Sequence, residues 1–267
     1  MFSRKAALLA SLVAACAIFA QSPATRPVFD TFEVATIKPT GPDARGRFIR
    51  MQSANQFVAK NHSVKTLVAA AYNLSPRTIS GPAWIDSDRF DILAKTPGAV
   101  RPNLDEQMSM LRKLLTDRFK LTFHRERKEL SIYALSVARN GSKLKESTAS
   151  PDASPEGPPP LVFVLSPQGA SLPGRNATMA ELASVLQRAA LDRPVVDRTG
   201  LSGRFDFNLE WMPDDTQFGG QGPWENHEAI KPDLFAALQQ QLGLKLEATR
   251  GPVEVLVIDQ VGRPTEN

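Results

Sequence analysis

Short apolar segments alternate with polar turns along this chain, and their spacing predicts a mixture of small strands and helices. Phe32 to Pro39 alternates apolar with polar positions and stops at a proline, as expected for a strand. Val64 to Tyr72 instead carries its apolar residues on one helical stripe, behind the N-cap residue Ser63. A strand around Phe90 and a helix from Pro102 to Arg118 follow.

Further short strands complete this half of the chain. Phe48 to Met51 and Gln56 to Ala59 have the pattern of a hairpin. Leu121 to Phe123 begins another strand, and a second hairpin is predicted to lead from it to Ile132–Val137. The first half is therefore a unit with the order strand, helix, strand, helix, strand, strand.

The same order recurs in the second half at a fixed distance. Arg89-Phe90-Asp91 occurs again as Arg204-Phe205-Asp206, 115 positions later, and Ser63 aligns with Thr178 at the same offset. From Leu111, which aligns with Leu234, the offset becomes 123, because the Gly- and Pro-rich loop 212–232 holds the additional residues. The chain is thus predicted to use one module twice.

The predicted fold class is α+β, with helices packed on small mixed or antiparallel sheets. The first repeat unit covers 27–146 and the second covers 161–267, with 212–232 as a loop insertion in the second. Residues 147–160 are rich in Pro, Ser, Gly and Glu and are interpreted as a surface linker.

Residues 1–20 have the pattern of an export signal. Arg4 and Lys5 precede an apolar run that ends at Phe19, and the run is too short to span a bilayer comfortably. Cleavage after Ala20 gives a secreted or periplasmic protein. The alternative is lipidation at Cys16, which follows small residues as in bacterial lipoproteins and gives a membrane-anchored protein.

Net charge and cysteine content limit what the chain is expected to bind and how it is held together. The chain has 267 residues and a formal net charge of +4, which becomes smaller once Arg4 and Lys5 leave with the signal. Such a near balance of charge does not favour nucleic-acid binding. Cys16 is the single cysteine, so no disulfide is expected within the chain.

Recognisable catalytic chemistry is missing from the sequence. The three histidines, His62, His124 and His227, lack the spacing of a helical metal pair. Nucleophile elbows, phosphate loops and dinucleotide fingerprints do not occur either. Asp86, Asp88 and Asp91 are interpreted as turn caps rather than a calcium loop. We therefore predict a non-enzymatic protein without cofactor or metal.

The duplicated Arg-Phe-Asp phrase allows a structural and a catalytic interpretation. In the structural one, Phe90 and Phe205 point inward while the flanking Arg and Asp face outward and pair across the sheet. A catalytic pair would not need to be present in both halves, so the structural interpretation is favoured. The charged segment from His124 to Lys128 is expected to be a solvated hairpin face, or else a contact for an acidic partner.

Aromatic residues on loops are the candidate interaction residues. Phe218 and Trp224 lie among Gly and Pro in the loop 212–232, and Trp84 follows Gly81-Pro82 in the first unit. For the loop, the alternative is that its aromatic side chains pack back onto the core.

Five separated blocks carry a resemblance to a known family. They are Phe32–Pro39, Gly81–Ile85, Leu115–Leu121, Pro194–Leu201 and Gln241–Leu246. Together they closely resemble the exported, soil-bacterium-associated (acidobacterial) family of uncharacterised proteins built on domain of unknown function 3738. The resemblance implies a secreted or envelope protein and assigns no catalytic residue. That domain also occurs attached to membrane sensor metallopeptidases, but this chain lacks their zinc-binding helix.

A second resemblance, in layout only, is to the short N-terminal domain of secretins and TonB-dependent receptors, and it implies periplasmic protein–protein contact. Three functions remain open at this point. The favoured one is a binding module for another envelope protein or a cell-wall component. The alternatives are a small-molecule sensor with an apolar pocket beneath Trp224, and a hydrolase with an unrecognised site between the units. The oligomeric state is left open.

Overall fold

The computed structural model describes residues 26–44, 46–149, 159–220, 222–224 and 231–264. The predicted signal segment with Cys16 lies outside these residues, as do His227 and 150–158 of the predicted linker. Within them the chain forms five α-helices and twelve strands arranged in three four-stranded sheets. The predicted α+β class is confirmed.

The first sheet is antiparallel, and it belongs to the first unit. Its strands lie in the order β1 (Val34–Pro39), β5 (Arg89–Lys95), β3 (Gln56–Ser63) and β2 (Phe48–Met51). Three helices accompany this sheet: α1 (Val64–Ala71), α2 (Trp84–Ser87) and α3 (Leu104–Phe119). Helix α3 starts at a capping box, in which Asn103 and Glu106 each bond the other's backbone N–H.

A sheet of the second unit repeats this arrangement. Its order is β7 (Lys145–Glu146), β11 (Phe205–Trp211), β9 (Gly169–Ala177) and β8 (Val164–Ser166). Strands β11, β9 and β8 therefore occupy the places of β5, β3 and β2. Helix α4 (Met179–Ala189) corresponds to α1, and α5 (Leu234–Ala237), with one π-helical turn at Leu238–Leu242, corresponds to the end of α3.

The third sheet joins the two units and corrects one expectation. Strand β6 (Thr122–Val137) runs without a turn, and so does β12 (Leu244–Gln260). The predicted hairpin between Phe123 and Ile132 is therefore wrong. Each long strand pairs in antiparallel fashion with its counterpart in the other unit, which satisfies the same backbone groups that a hairpin within one unit would.

Strands β6 and β12 together form a long two-stranded ribbon, and a pseudo-two-fold axis passes through its centre. Glu129 lies opposite Pro252, and these two residues are equivalent positions of the repeat, 123 apart. The short strands β10 (Val195–Asp197) and β4 (Ile79–Ser80) flank the ribbon in parallel with β6 and β12 respectively. The axis therefore relates the first unit to the second and, in the third sheet, β6 to β12 and β4 to β10.

Each unit completes the other's core through the ribbon. Leu256 and Ile258 come from the end of β12, yet they pack in the core of the first unit. Leu135 and Tyr133 of β6 pack in the core of the second. Since apolar burial is the main favourable term in folding, the two cores are expected to unfold together.

Candidate binding groove between the two units

The duplicated Arg-Phe-Asp phrase holds a backbone bend in each unit. In the first unit the Asn61 N–H donates to Asp91 Oδ1 at 2.8 Å, and Arg89 Nη1 donates to the Asn61 carbonyl at 3.2 Å. Asn61 adopts a left-handed backbone with φ 57°, which asparagine tolerates better than most residues. The arginine and the aspartate thus stabilise one strained residue from both sides.

The second unit repeats this geometry atom for atom. The Asn176 N–H donates to Asp206 Oδ1 at 2.8 Å, Arg204 Nη1 donates to the Asn176 carbonyl at 2.7 Å, and Asn176 has φ 52°. The backbone hydrogen bond from Asn176 is the main reason why the pKa of Asp206 lies below its usual value. In both copies the arginine and the aspartate meet through an asparagine backbone, which supports the structural interpretation.

The inward position of both phenylalanines is confirmed. Phe90 and Phe205 are each 5% exposed and lie in the two separate cores. Phe90 also contacts Phe119 edge to face, with ring centroids 5.4 Å apart. The phrase is therefore a framework element of each unit.

The aromatic residues of the loop 212–232 pack back onto the second core. Phe218 lies 6.1 Å from the stacked ring of Trp211 and 5.1 Å from Phe163, and Trp224 lies 5.8 Å from Phe218. Trp211 is fully buried, and its indole N–H donates to Gln217 Oε1 at 2.8 Å. A role for Phe218 and Trp224 in binding stays a prediction.

Sequence reasoning missed Trp211 and Phe163, which provide the surface for this packing. The alternation Phe205, Phe207, Leu209 was a usable signal, since its next inward position is Trp211.

Trp84 occupies the start of α2 and is partly buried against the first core. The Arg263 guanidinium lies 4.7 Å above its ring, and Arg263 Nε also donates to Asp88 Oδ2 at 2.7 Å. These contacts make Trp84 an anchor for the chain after β12. Its use as an interaction residue is again left as a prediction.

The two described histidines differ in their surroundings. His62 is buried beside Thr66, with Nδ1 3.2 Å from Thr66 Oγ1, and burial, helped by Arg47, lowers its pKa to about 4. His124 is exposed, and hydrogen bonds to Glu126 and Asp259 raise its pKa. Across the described ranges, no group of three or more His, Cys, Asp or Glu side chains is placed to hold a metal ion.

An open groove of about 350 Å³ lies where the two units meet. One wall comes from the turn after α1, the other from α4 and β10, and the floor comes from the centre of β12. The lining residues are Leu74, Ser75, Thr78, Gln187, Pro194–Asp197 and Pro252–Glu254. The groove thus combines apolar side chains with hydroxyl, amide and carboxylate groups.

Hydrogen bonds fix the groove walls before any ligand arrives. Ser184 Oγ on α4 contacts Asn73 Oδ1 after α1, and this bond joins the two units directly. Gln187 Oε1 accepts from the Val195 N–H at 3.2 Å, so α4 and β10 are held together. In the opposite wall, Thr78 Oγ1 donates to the Ser75 carbonyl at 2.9 Å.

The groove breaks the symmetry of the repeat. Gln187 is equivalent to Tyr72, whose ring instead packs edge to face on Phe123 at 4.9 Å. Pro252, in the floor, is equivalent to the charged Glu129. The groove is therefore made by residues in which the two copies differ.

The lining groups can bind, but they do not form a nucleophile and its base. Ser75 Oγ accepts from the Arg77 N–H, and no histidine, lysine or cysteine is among the lining residues. Asp197 Oδ1 accepts from the Thr199 N–H at 2.9 Å and caps its own turn, while Glu254 pairs with Arg125. A second cavity, of about 310 Å³, is lined by residues that include Lys143 and Gln240 but not Trp224.

The chain matches one known protein family. A family model described as "Protein of unknown function (DUF3738)" matches residues 65–261, from α1 to the end of β12. The chain belongs to this family. The match covers every residue that lines the groove and the helices and strands of the second unit, whereas β1, β2 and β3 of the first unit lie before it. No curated protein and no solved structure matches the chain, so the similarity in layout to secretin and TonB-receptor domains stays a prediction.

Among the described residues, no helix has the length and apolar character that a transmembrane segment needs.

Proposed function

We propose that this DUF3738 protein is an exported, non-enzymatic binding protein of the cell envelope, and that the groove between its units holds another envelope protein or a cell-wall component. The observation that carries the proposal is the groove itself. It is preformed, it combines apolar and polar lining groups, and it exists where the copies differ. The export part rests on the signal pattern of residues 1–20.

The chemistry of the groove supports binding. Leu74, Val196 and Pro252 offer apolar surface, while Gln187 and Asp197 offer a few fixed polar groups for orientation. Sites that recognise ligands generally combine the two in this way.

The open shape of the groove favours a chain-like ligand. A small molecule is normally enclosed over most of its surface, whereas this groove is open to solvent and would leave much of a small molecule exposed. An extended peptide segment or a glycan strand needs less enclosure, because only part of its length has to lie in the site. Both ligands occur in a bacterial envelope.

Filling the groove tests the proposal. Pro252→Trp places a large ring in the groove floor at an exposed position, whereas Lys245→Trp adds the same ring at an exposed position on the same strand that does not line the groove. Each mature protein would be immobilised and exposed to envelope proteins and to purified wall fragments. We expect saturable binding that Pro252→Trp weakens at least about tenfold, a loss of about 1.4 kcal/mol.

Lys245→Trp should bind as the unchanged protein does, and both variants should keep its thermal unfolding midpoint. Equal binding by all three proteins would contradict the groove as the site. Failure of the unchanged protein to retain any protein or wall fragment would contradict the binding function.

A further inference from the structure

The two units end their outer sheets with equivalent strands of opposite character. Strand β2 in the first unit is guarded by arginines, with Arg47 just before it and Arg50 within it. The Arg50 guanidinium lies 4.5 Å from the ring centroid of Phe48 and covers this apolar side chain. Charged residues on an edge strand oppose pairing with another chain.

Strand β8 in the second unit has no such protection. The positions equivalent to Arg47 and Arg50 are Val162 and Leu165, and the whole segment 161–169 is uncharged. Val162, Val164 and Leu165 are 46%, 51% and 39% exposed. They supply three of the nine exposed large apolar side chains among the described residues, within four consecutive positions.

The backbone of β8 is also available on one side. Strand β8 pairs with β9 and lies at the end of the order β7-β11-β9-β8. Within the described ranges no further strand pairs with its outer edge. An edge that combines unpaired backbone groups with exposed apolar side chains is a template for strand addition.

We propose that β8 is a self-association edge, which pairs in antiparallel fashion with β8 of a second copy of this chain. Pairing would join two four-stranded sheets into one continuous sheet of eight strands. The proposal concerns a surface separate from the groove and does not depend on the proposed function.

The lack of charge favours a second copy as the occupant. Antiparallel pairing of a strand with itself about a two-fold axis places the central residue opposite its own counterpart, and it places residues on either side of the centre opposite each other, so every pair comes from the same short segment. A strand with arginines, such as β2, would place like charges opposite each other. The uncharged segment 161–169 meets its own copy at no such cost, and Val and Leu side chains favour strand pairing.

The expected dimer is weak. One short strand offers much less than the roughly 800 Å² per partner of a standard protein interface. Dissociation constants of about 10 µM to 1 mM are therefore expected, and the association should appear only as concentration rises.

The test uses the full mature chain in analytical ultracentrifugation over a range of concentrations. Val162→Arg together with Leu165→Arg gives β8 the arginine pattern of β2. The matched control is Leu93→Arg, which adds an arginine at a similarly exposed apolar position, 48% exposed, on the interior strand β5. Circular dichroism and thermal unfolding would establish that every protein is folded.

We expect the unchanged protein and Leu93→Arg to dimerise with increasing concentration, and the double variant to associate at least about tenfold more weakly. Amide exchange should slow at 162–166 as the unchanged protein associates. A monomer at all concentrations would overturn the proposal. So would a dimer that survives in the double variant, or one that Leu93→Arg abolishes.

Discussion

The first and second units follow one plan, yet they fill some equivalent buried positions with very different side chains. The asparagine bends with their Arg and Asp partners are the same in both, because that geometry shapes the entry into α1 and α4. In contrast, buried Thr96 of the first unit corresponds to buried Trp211 of the second, and His62 corresponds to Ala177. The comparison separates positions that build the module from positions that distinguish the copies.

The largest expected difference in stability between equivalent positions of the two units concerns Trp211. Replacing it with alanine should cost about 3–5 kcal/mol of unfolding free energy, because the cavity would remove the support of Phe163 and Phe218. Thr96→Val at the equivalent position should instead stabilise by about 1 kcal/mol, since the Thr96 hydroxyl is buried and has no hydrogen-bond partner among the described residues. Urea unfolding measures the free energy of unfolding of both variants. A similar loss of stability in the two variants would contradict the expected difference between the units.

His62 should make the first unit sensitive to acid. Its folded pKa of about 4 lies below the unfolded value of 6.5, so between these values the unfolded chain binds a proton that the folded chain does not. Stability is therefore lost as the pH falls through this window, by up to about 3 kcal/mol. His62→Ala copies the second unit and should flatten the change measured by urea unfolding between about pH 7 and about pH 4.5.

The control for this measurement is His124→Ala. His124 is exposed and its pKa is raised, so its contribution has the opposite sign and is lost as the pH rises through the folded pKa. The acid-sensitive loss should persist in His124→Ala. An unchanged pH dependence in His62→Ala would show that other groups cause it.

The C-terminal ends of α3 and of the helical segment that begins with α5 should give a smaller difference in stability between the units. Gly243, with φ 66°, and its equivalent Lys120, with φ 55°, both adopt the left-handed conformation at a helix C-terminus. Gly243→Ala should cost about 2 kcal/mol, because its Cβ would lie 2.2 Å from the Gly141 carbonyl oxygen. Lys120→Gly should stabilise by about 1 kcal/mol.

Chemical unfolding midpoints of the two single variants provide the measurement. A tolerated Gly243→Ala would mean that Ser142 and its neighbours move aside, and that the second helix end is looser than the structure has it.

Much of the framework could be predicted from the sequence, because it depends on local patterns. The cap residues Ser63 and Thr178, the inward Phe90 and Phe205, and the repeat itself follow from spacing alone. The ribbon could not be predicted in this way. The alternation in Phe123–Val137 is the same whether a strand pairs with its own unit or with the other one.

The residues that line the groove could not be predicted from the sequence for a related reason. Its lining residues come from α4, β10, β12 and the turn after α1, and no spacing along the chain connects Leu74 with Gln187 or Pro252. Only the packing of the units around the pseudo-two-fold axis brings them together. The candidate aromatic residues, in contrast, were visible in the sequence, but their contacts with Trp211 and Arg263 were not.

Amide hydrogen exchange on the mature protein, with and without a retained envelope ligand, would show whether the groove is the binding site. We expect the ligand to slow exchange in the groove walls at 74–78 and 195–197. The equivalent segments 189–193 and 80–82 should exchange as they do in the free protein. Equal protection of both sets, or protection confined to the loop 212–232, would contradict a binding site built where the two copies differ.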